Sequence, residues 1–137
     1  MHKKIILVLT LILVGRAMTL AYIHRAGGLG VGDPPAAWLM PLLGDAIIGL
    51  SGLVMIYLIV SRKGLFVWTA VIVWNALAIW DALSAFVIHL TNPWSDFFMI
   101  EIFGPFMFFA ASAMHLAIIY LVTRNTLKHE LIKSDVV

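Results

Sequence analysis

The sequence contains no cysteine. That removes disulfides, thiolate metal sites and thiol redox chemistry together, and with them the quinone and disulfide oxidoreductases that work through cysteine pairs in small bundles. Charge is almost as scarce. Asp, Glu, Lys and Arg make up 12% of the 137 residues, 63% are hydrophobic, and the mean hydropathy is +1.05. So little polar sequence excludes a disordered chain and argues against a water-soluble globule, because a body this small cannot hide so much apolar surface. The composition points to an integral membrane protein. The net charge of +2 and the pI of about 9.2 are not the mark of a nucleic-acid binder, since no basic stripe alternates with aromatic residues. No nucleic-acid partner is expected, and the excess of Lys and Arg reads as a topology signal.

A membrane crossing takes roughly 20 mainly apolar residues. Four stretches qualify: residues 5–23, 36–60, 65–90 and 97–122. The breaks carry turn chemistry: Gly27, Gly28, Gly30, Gly32, Asp33, Pro34 and Pro35, then 61–64, then Thr91, Asn92 and Pro93. The glycines are not a phosphate loop, since no Lys-Ser/Thr pair follows. The apolar runs are continuous, whereas barrel strands alternate, and no internal repeat is visible. His2, Lys3, Lys4 and the apolar run behind them have the look of a secretory signal, but Arg16 interrupts the run and no small-x-small site follows. The first helix is therefore expected to be retained. Lys3, Lys4, Arg62, Lys63, Arg124, Lys128 and Lys133 share one side, leaving Arg25 on the other and Arg16 inside a span. By the positive-inside rule both termini are expected in the cytoplasm. The expected fold is all-α: one domain over residues 1–137, with four transmembrane helices in an up-down bundle. Trp38 and Trp94 fall at the outer interface and Trp68 at the inner one.

Ionisable groups within a span are costly and face the bundle interior or a wet cavity. At 1.5 Å per residue, Arg16 lies about 18 Å above Lys4, and Asp45 and Asp81 lie about 25 Å above the 62–64 turn. Asn75 comes out near 16 Å and His115 near 13 Å by the same estimate. Helical periodicity places Trp74, Asn75, Ala78, Asp81, Ala82, Ala85 and His89 on one face. It does the same for Asp45, Gly49 and Gly52, and for Glu101, Gly104, Pro105, Phe108, Ser112 and His115. These stripes mix polar with small residues, which lets helices approach closely.

The resulting expectation is a polar chamber in the outer half of the bundle. Arg16 faces Asp45 and Asp81 there, Glu101, His24 and His89 lie at its mouth, and Asn75 and His115 form a second hydrogen-bonding level below. One guanidinium between two carboxylates leaves a negative site suited to a cation, a protonated amine or a shared proton. The competing reading is an ion-pair cluster that only fixes helix order. Glu101 has its own alternative in the first turn of the last helix, and Asn75 as interhelical glue. Asp33 and Asp96 read as turn or cap residues. The cluster of Phe97, Phe98, Met99, Phe103, Phe106, Met107, Phe108 and Phe109 reads as lipid-facing packing, with a site for a greasy ligand as the alternative.

No metal site is expected. His24, His89 and Glu101 have suitable ligand types but come from separate segments without motif spacing. Small residues beside His115 and His89 give each room for a haem or chlorin, and a lone hydrogen-bonded histidine is the commoner outcome.

Gly44-Asp45, Trp74-Asn75 followed by Asp81, and His115 together resemble small bacterial four-helix inner-membrane proteins, over the last three helices and without a known activity attached. Pro34, Pro35, Trp38, Asp45 and Pro105 carry a fainter resemblance to the sterol-isomerase and sigma-2-receptor type of membrane fold. The spacing departs from that pattern and the third span lacks its His and Glu pair, so no catalytic role carries over. The functional expectation is a bacterial inner-membrane protein that binds or translocates a small cationic or amphiphilic ligand, or protons, through the chamber. The alternatives are a membrane-embedded enzyme acting on a lipid-like substrate, and an accessory subunit of a larger membrane complex. The lipid bilayer and a homo-oligomer or larger complex are the expected partners.

Overall fold

A computed structural model describes residues 2–132; Lys133, counted above on the basic side, lies outside the described residues. Among them the regular structure is helical, with no strand. Four helices are long and apolar enough to cross a membrane: α1 (His2–Ile23), α2 (Ala36–Ser61), α3 (Leu65–Thr91) and a last one over Phe106–Thr123. A short helix, α4 (Phe98–Phe103), precedes that last one, which is therefore α5, and α6 (Asn125–Ile132) follows it.

The first three spans stop within one residue of where the sequence places them, and α1 begins three residues earlier than expected, at His2. The fourth departs further. The apolar run 97–122 is broken at Gly104, whose φ of 58° and ψ of −160° lie in a region open only to glycine, and Pro105 follows. The spanning part is the 18-residue α5, and α4 is a separate piece. The chain also turns at Arg124, whose backbone is extended. Beyond it α6 tucks Leu127 and Leu131 under the bundle, an element the sequence reading did not contain. Gly64, with φ at 123°, starts α3, and its N–H donates to the Leu131 carbonyl at 2.7 Å.

The spanning helices pack in sequence, α1 on α2, α2 on α3 and α3 on α5, while α1 meets α5 through a thinner contact. Two apolar clusters fill the interior. One surrounds Ile6, Leu13, Val71, Ile118 and Val122 near the 62–64 turn, with Leu127 and Leu131 of α6. The other is aromatic, built on Trp38, Trp94, Phe97 and Phe108 near the 24–35 loop. Most remaining large apolar side chains face outward, as lipid contact requires. Close approach of α1 to α2 rests on glycine. A Cβ on Gly49 would collide with the backbone of Ala17, and one on Gly52 would come within 2.9 Å of Val14.

Candidate functional site

The site begins in α1, which tightens into a 3-10 turn over Gly15–Thr19. A 3-10 stretch inside a helix is uncommon and often marks a functional position. Here it carries Arg16 and is tied down by Thr19, whose hydroxyl lies 2.9 Å from the Arg16 carbonyl and 3.1 Å from that of Leu42 in α2. The Arg16 side chain then reaches across three other helices. Its Nε donates to Asp45 Oδ1 at 2.6 Å, and its Nη2 pairs with Asp81 Oδ2 at 2.5 Å and also with Asp45. Nη1 donates to His115 Nε2 at 3.2 Å and to the Ala78 carbonyl at 3.4 Å. A guanidinium carries five N–H donors in a planar fork; four of them hydrogen-bond here, and Nη2 is also ion-paired with Asp45.

The geometry fixes the His115 tautomer. Arg16 has only donors, so Nε2 accepts, the proton sits on Nδ1, and Nδ1 donates to Asn75 Oδ1 at 2.7 Å. Asn75 in turn donates to the Val71 carbonyl, one turn back on its own helix, at 2.7 Å. Both side chains are fully buried, and Trp74 lies edge-on to His115 at 5.4 Å while bonding Ser51 at 2.8 Å. The polar chain therefore runs from Arg16 to a backbone carbonyl and ends there, against the aliphatic cluster around Val71.

Beside this knot lies a cavity of about 380 Å³. Its walls are Met18 and Ile12 of α1, Ala85 of α3, and Phe103, Phe106 and Met107 around the Gly104 break, among others. Arg16, Thr19 and Asp45 are the only lining residues with polar side chains. Ile12, Met18, Phe103 and Phe106 are also exposed on the outside of the bundle, so the cavity opens sideways between α1 and the α4–α5 joint.

This arrangement revises the expected polar chamber. The cavity is apolar with one polar wall, and Asp81, Asn75, His115 and Glu101 do not line it. Glu101 and His24 are exposed and stand apart from the charged cluster. His89 is packed between Trp38 and Phe108, at ring distances of 6.2 and 5.8 Å, with its Nδ1 buried and unpartnered among the described residues. Among the described residues no three of His, Asp and Glu converge to hold a metal, so His24, His89 and Glu101 do not form one site. With both ring nitrogens engaged, His115 has no lone pair to offer a haem or chlorin. Of the Phe and Met cluster, Phe97, Met99, Phe103, Phe106, Met107 and Phe108 line the cavity, and Phe103 and Phe106 are also exposed on the outside of the bundle.

Two features escape sequence reasoning. Gly44 seats Asp81: any Cβ there would overlap the Asp81 carboxylate, so the glycine clears the space in which Asp81 meets Arg16. The Ala78 carbonyl completes the guanidinium's set of acceptors, and no side-chain pattern announces a carbonyl. Outside the bundle, Arg25 donates to Asp33 at 2.7 Å, and with the Gly30 N–H this holds the Asp33 carboxyl below its ordinary value. Asp33 is thus a loop anchor. Compared with known protein families, curated proteins and solved structures, the chain matches none.

Proposed function

We propose that this protein is a membrane-embedded binding module that takes an amphiphilic molecule from the bilayer into the lateral cavity, seating its polar end at Arg16 and Asp45. The observation that carries this is the cavity itself: apolar walls, a sideways mouth and a single charged patch on its lining. Its volume lies within the roughly 300–1,000 Å³ of ordinary small-molecule pockets. The proposal includes the orientation. The helices alternate up and down in a bacterial inner membrane, with the basic 62–64 turn and both termini in the cytoplasm, as the distribution of Lys and Arg favours.

Binding is better supported than conduction. A proton or ion path needs exchangeable groups from one side to the other, and the chain through His115 and Asn75 stops at the Val71 carbonyl. Beyond it lies an apolar cluster. The test is native mass spectrometry of protein extracted gently from its membrane. The unmodified protein should carry a stoichiometric amphiphile, and Ala111→Trp, which fills the cavity from its wall, should not. Equal lipid complements on both proteins would overturn the reading.

A further inference from the structure

Resting on that binding reading, we infer that the cavity selects a ligand whose head donates hydrogen bonds and carries positive charge, a primary ammonium on an alkyl or ring body, and rejects anionic heads. A guanidinium on a pocket wall ordinarily suggests a carboxylate or phosphate ligand. Here that inference fails on donor supply. Four N–H groups of Arg16 hydrogen-bond Asp45, Asp81, His115 Nε2 and the Ala78 carbonyl, and Nη2 is also ion-paired with Asp45. An anionic head would have to compete with those partners for the guanidinium.

What the wall has left is acceptor capacity. Both contacts of Asp45 with Arg16 use Oδ1, and no hydrogen bond among the described residues takes its Oδ2. Its side chain is 20% exposed and lines the cavity. Thr19, the other polar lining residue, spends its single hydroxyl proton on backbone carbonyls and keeps lone pairs free. The remaining lining side chains are apolar. With both acids ionised, two carboxylates face one guanidinium, and an entering ammonium supplies the positive charge that the cluster lacks. The two acids divide the work. Asp81, off the cavity and seated over Gly44, holds the guanidinium in place, while Asp45 faces the guest.

The test uses the full chain in lipid nanodiscs at neutral pH, with empty nanodiscs subtracted. The probes share a twelve-carbon chain and differ in the head: dodecylamine, dodecyltrimethylammonium, dodecanoate and dodecanol. Dodecylamine should bind saturably and at least about tenfold more tightly than dodecanoate, as one charge-assisted hydrogen bond gained against one lost implies. The trimethylated head, charged but without N–H, should fall between them. Asp45→Asn should bring dodecylamine to the level of dodecanol. The head series on the unmodified protein carries the test even where that variant does not fold. Saturable dodecanol binding with dodecanoate equal to or tighter than dodecylamine would overturn the head-group inference and leave the cavity reading standing. Absence of saturable binding by every probe would overturn the cavity reading itself.

Discussion

The two halves of this bundle are drawn from the same apolar alphabet and end differently. Near the 62–64 turn, branched aliphatic side chains, with Ile6, Val71, Ile118 and Val122 at their centre, pack into one buried cluster. That end is sealed by α6, by the Trp68 indole donating to the Val122 carbonyl at 3.1 Å, and by Lys128 over the Trp68 ring. Near the 24–35 loop the aromatic residues pack on one another, and Ala85, Ala110, Ala111, Met99 and Met107 border an opening. Small residues supply no volume and methionine does not fix a shape. Composition alone therefore says how greasy a helix is, while the sizes of the residues facing each other decide whether a layer is solid or hollow.

The contrast can be broken most sharply at Arg16, which stands on the border between the halves. Arg16→Gln leaves two inward carboxylates without their cation and should cost about 3–5 kcal/mol, the usual range for orphaning a buried ion pair, measured by unfolding in mixed micelles. Combining Arg16→Met, Asp45→Leu and Asp81→Leu removes the charges together and should restore most of that stability while abolishing dodecylamine binding. A triple variant that stays as unstable as Arg16→Gln would show that the cluster acts through shape rather than charge. Next in size is a pair of truncations. Ile118→Ala, in the solid half, should lose stability towards the lower end of about 2–5 kcal/mol, since lipid is as apolar as the core and little transfer energy is at stake. Met107→Ala, on the cavity wall, should lose less than half as much, because it enlarges a space already present. Gly44→Ala should cost about 1–3 kcal/mol of overpacking and displace Asp81 from Arg16, read as a weakened response of dodecylamine binding to Asp45→Asn.

The smallest effect belongs to the loop. A carboxyl whose folded value is depressed contributes stability above its unfolded value and loses it as the pH falls through the folded one. The Arg25–Asp33 contact should therefore hold at neutral pH and fade below about pH 4. Trp94 reports it, because its indole donates to the Gly32 carbonyl beside Asp33 at 3.2 Å. Acidification or Asp33→Ala should move the Trp94 indole proton resonance and leave that of Trp68 in place.

Much of this was legible in the chain. Hydropathy located the four spanning helices, and depth along the helices with a shared face placed Asp45 and Asp81 at one level with Arg16 a few ångströms below, close enough to expect the three to meet, as they do. The His115–Asn75 contact lies below them at the level the same arithmetic gave. What failed had local causes. Gly104 and Pro105 looked like small residues on a helix face, because the sign of a backbone angle is not written in an apolar run; the break they make leaves Glu101 on the separate α4, exposed. His89 shares the face of Asp81, yet its environment is set by Trp38 and Phe108 arriving from other helices. The α6 helix has too short and too mixed a pattern to declare itself before the bundle gives Leu127 and Leu131 somewhere to go.

The Gly104 break also makes the spanning helices unequal. α3 has 27 residues and α5 has 18, or about 40 Å against about 27 Å of helix. Lipid meeting the shorter one would adapt by thinning, a modest elastic cost, which would dimple the membrane along one flank of the protein. That flank includes Phe103 and Phe106 at the cavity mouth, and on the proposed binding reading such a dimple would draw lipid heads down to the level of the opening, so that a guest could slide in without dragging its polar end through oil.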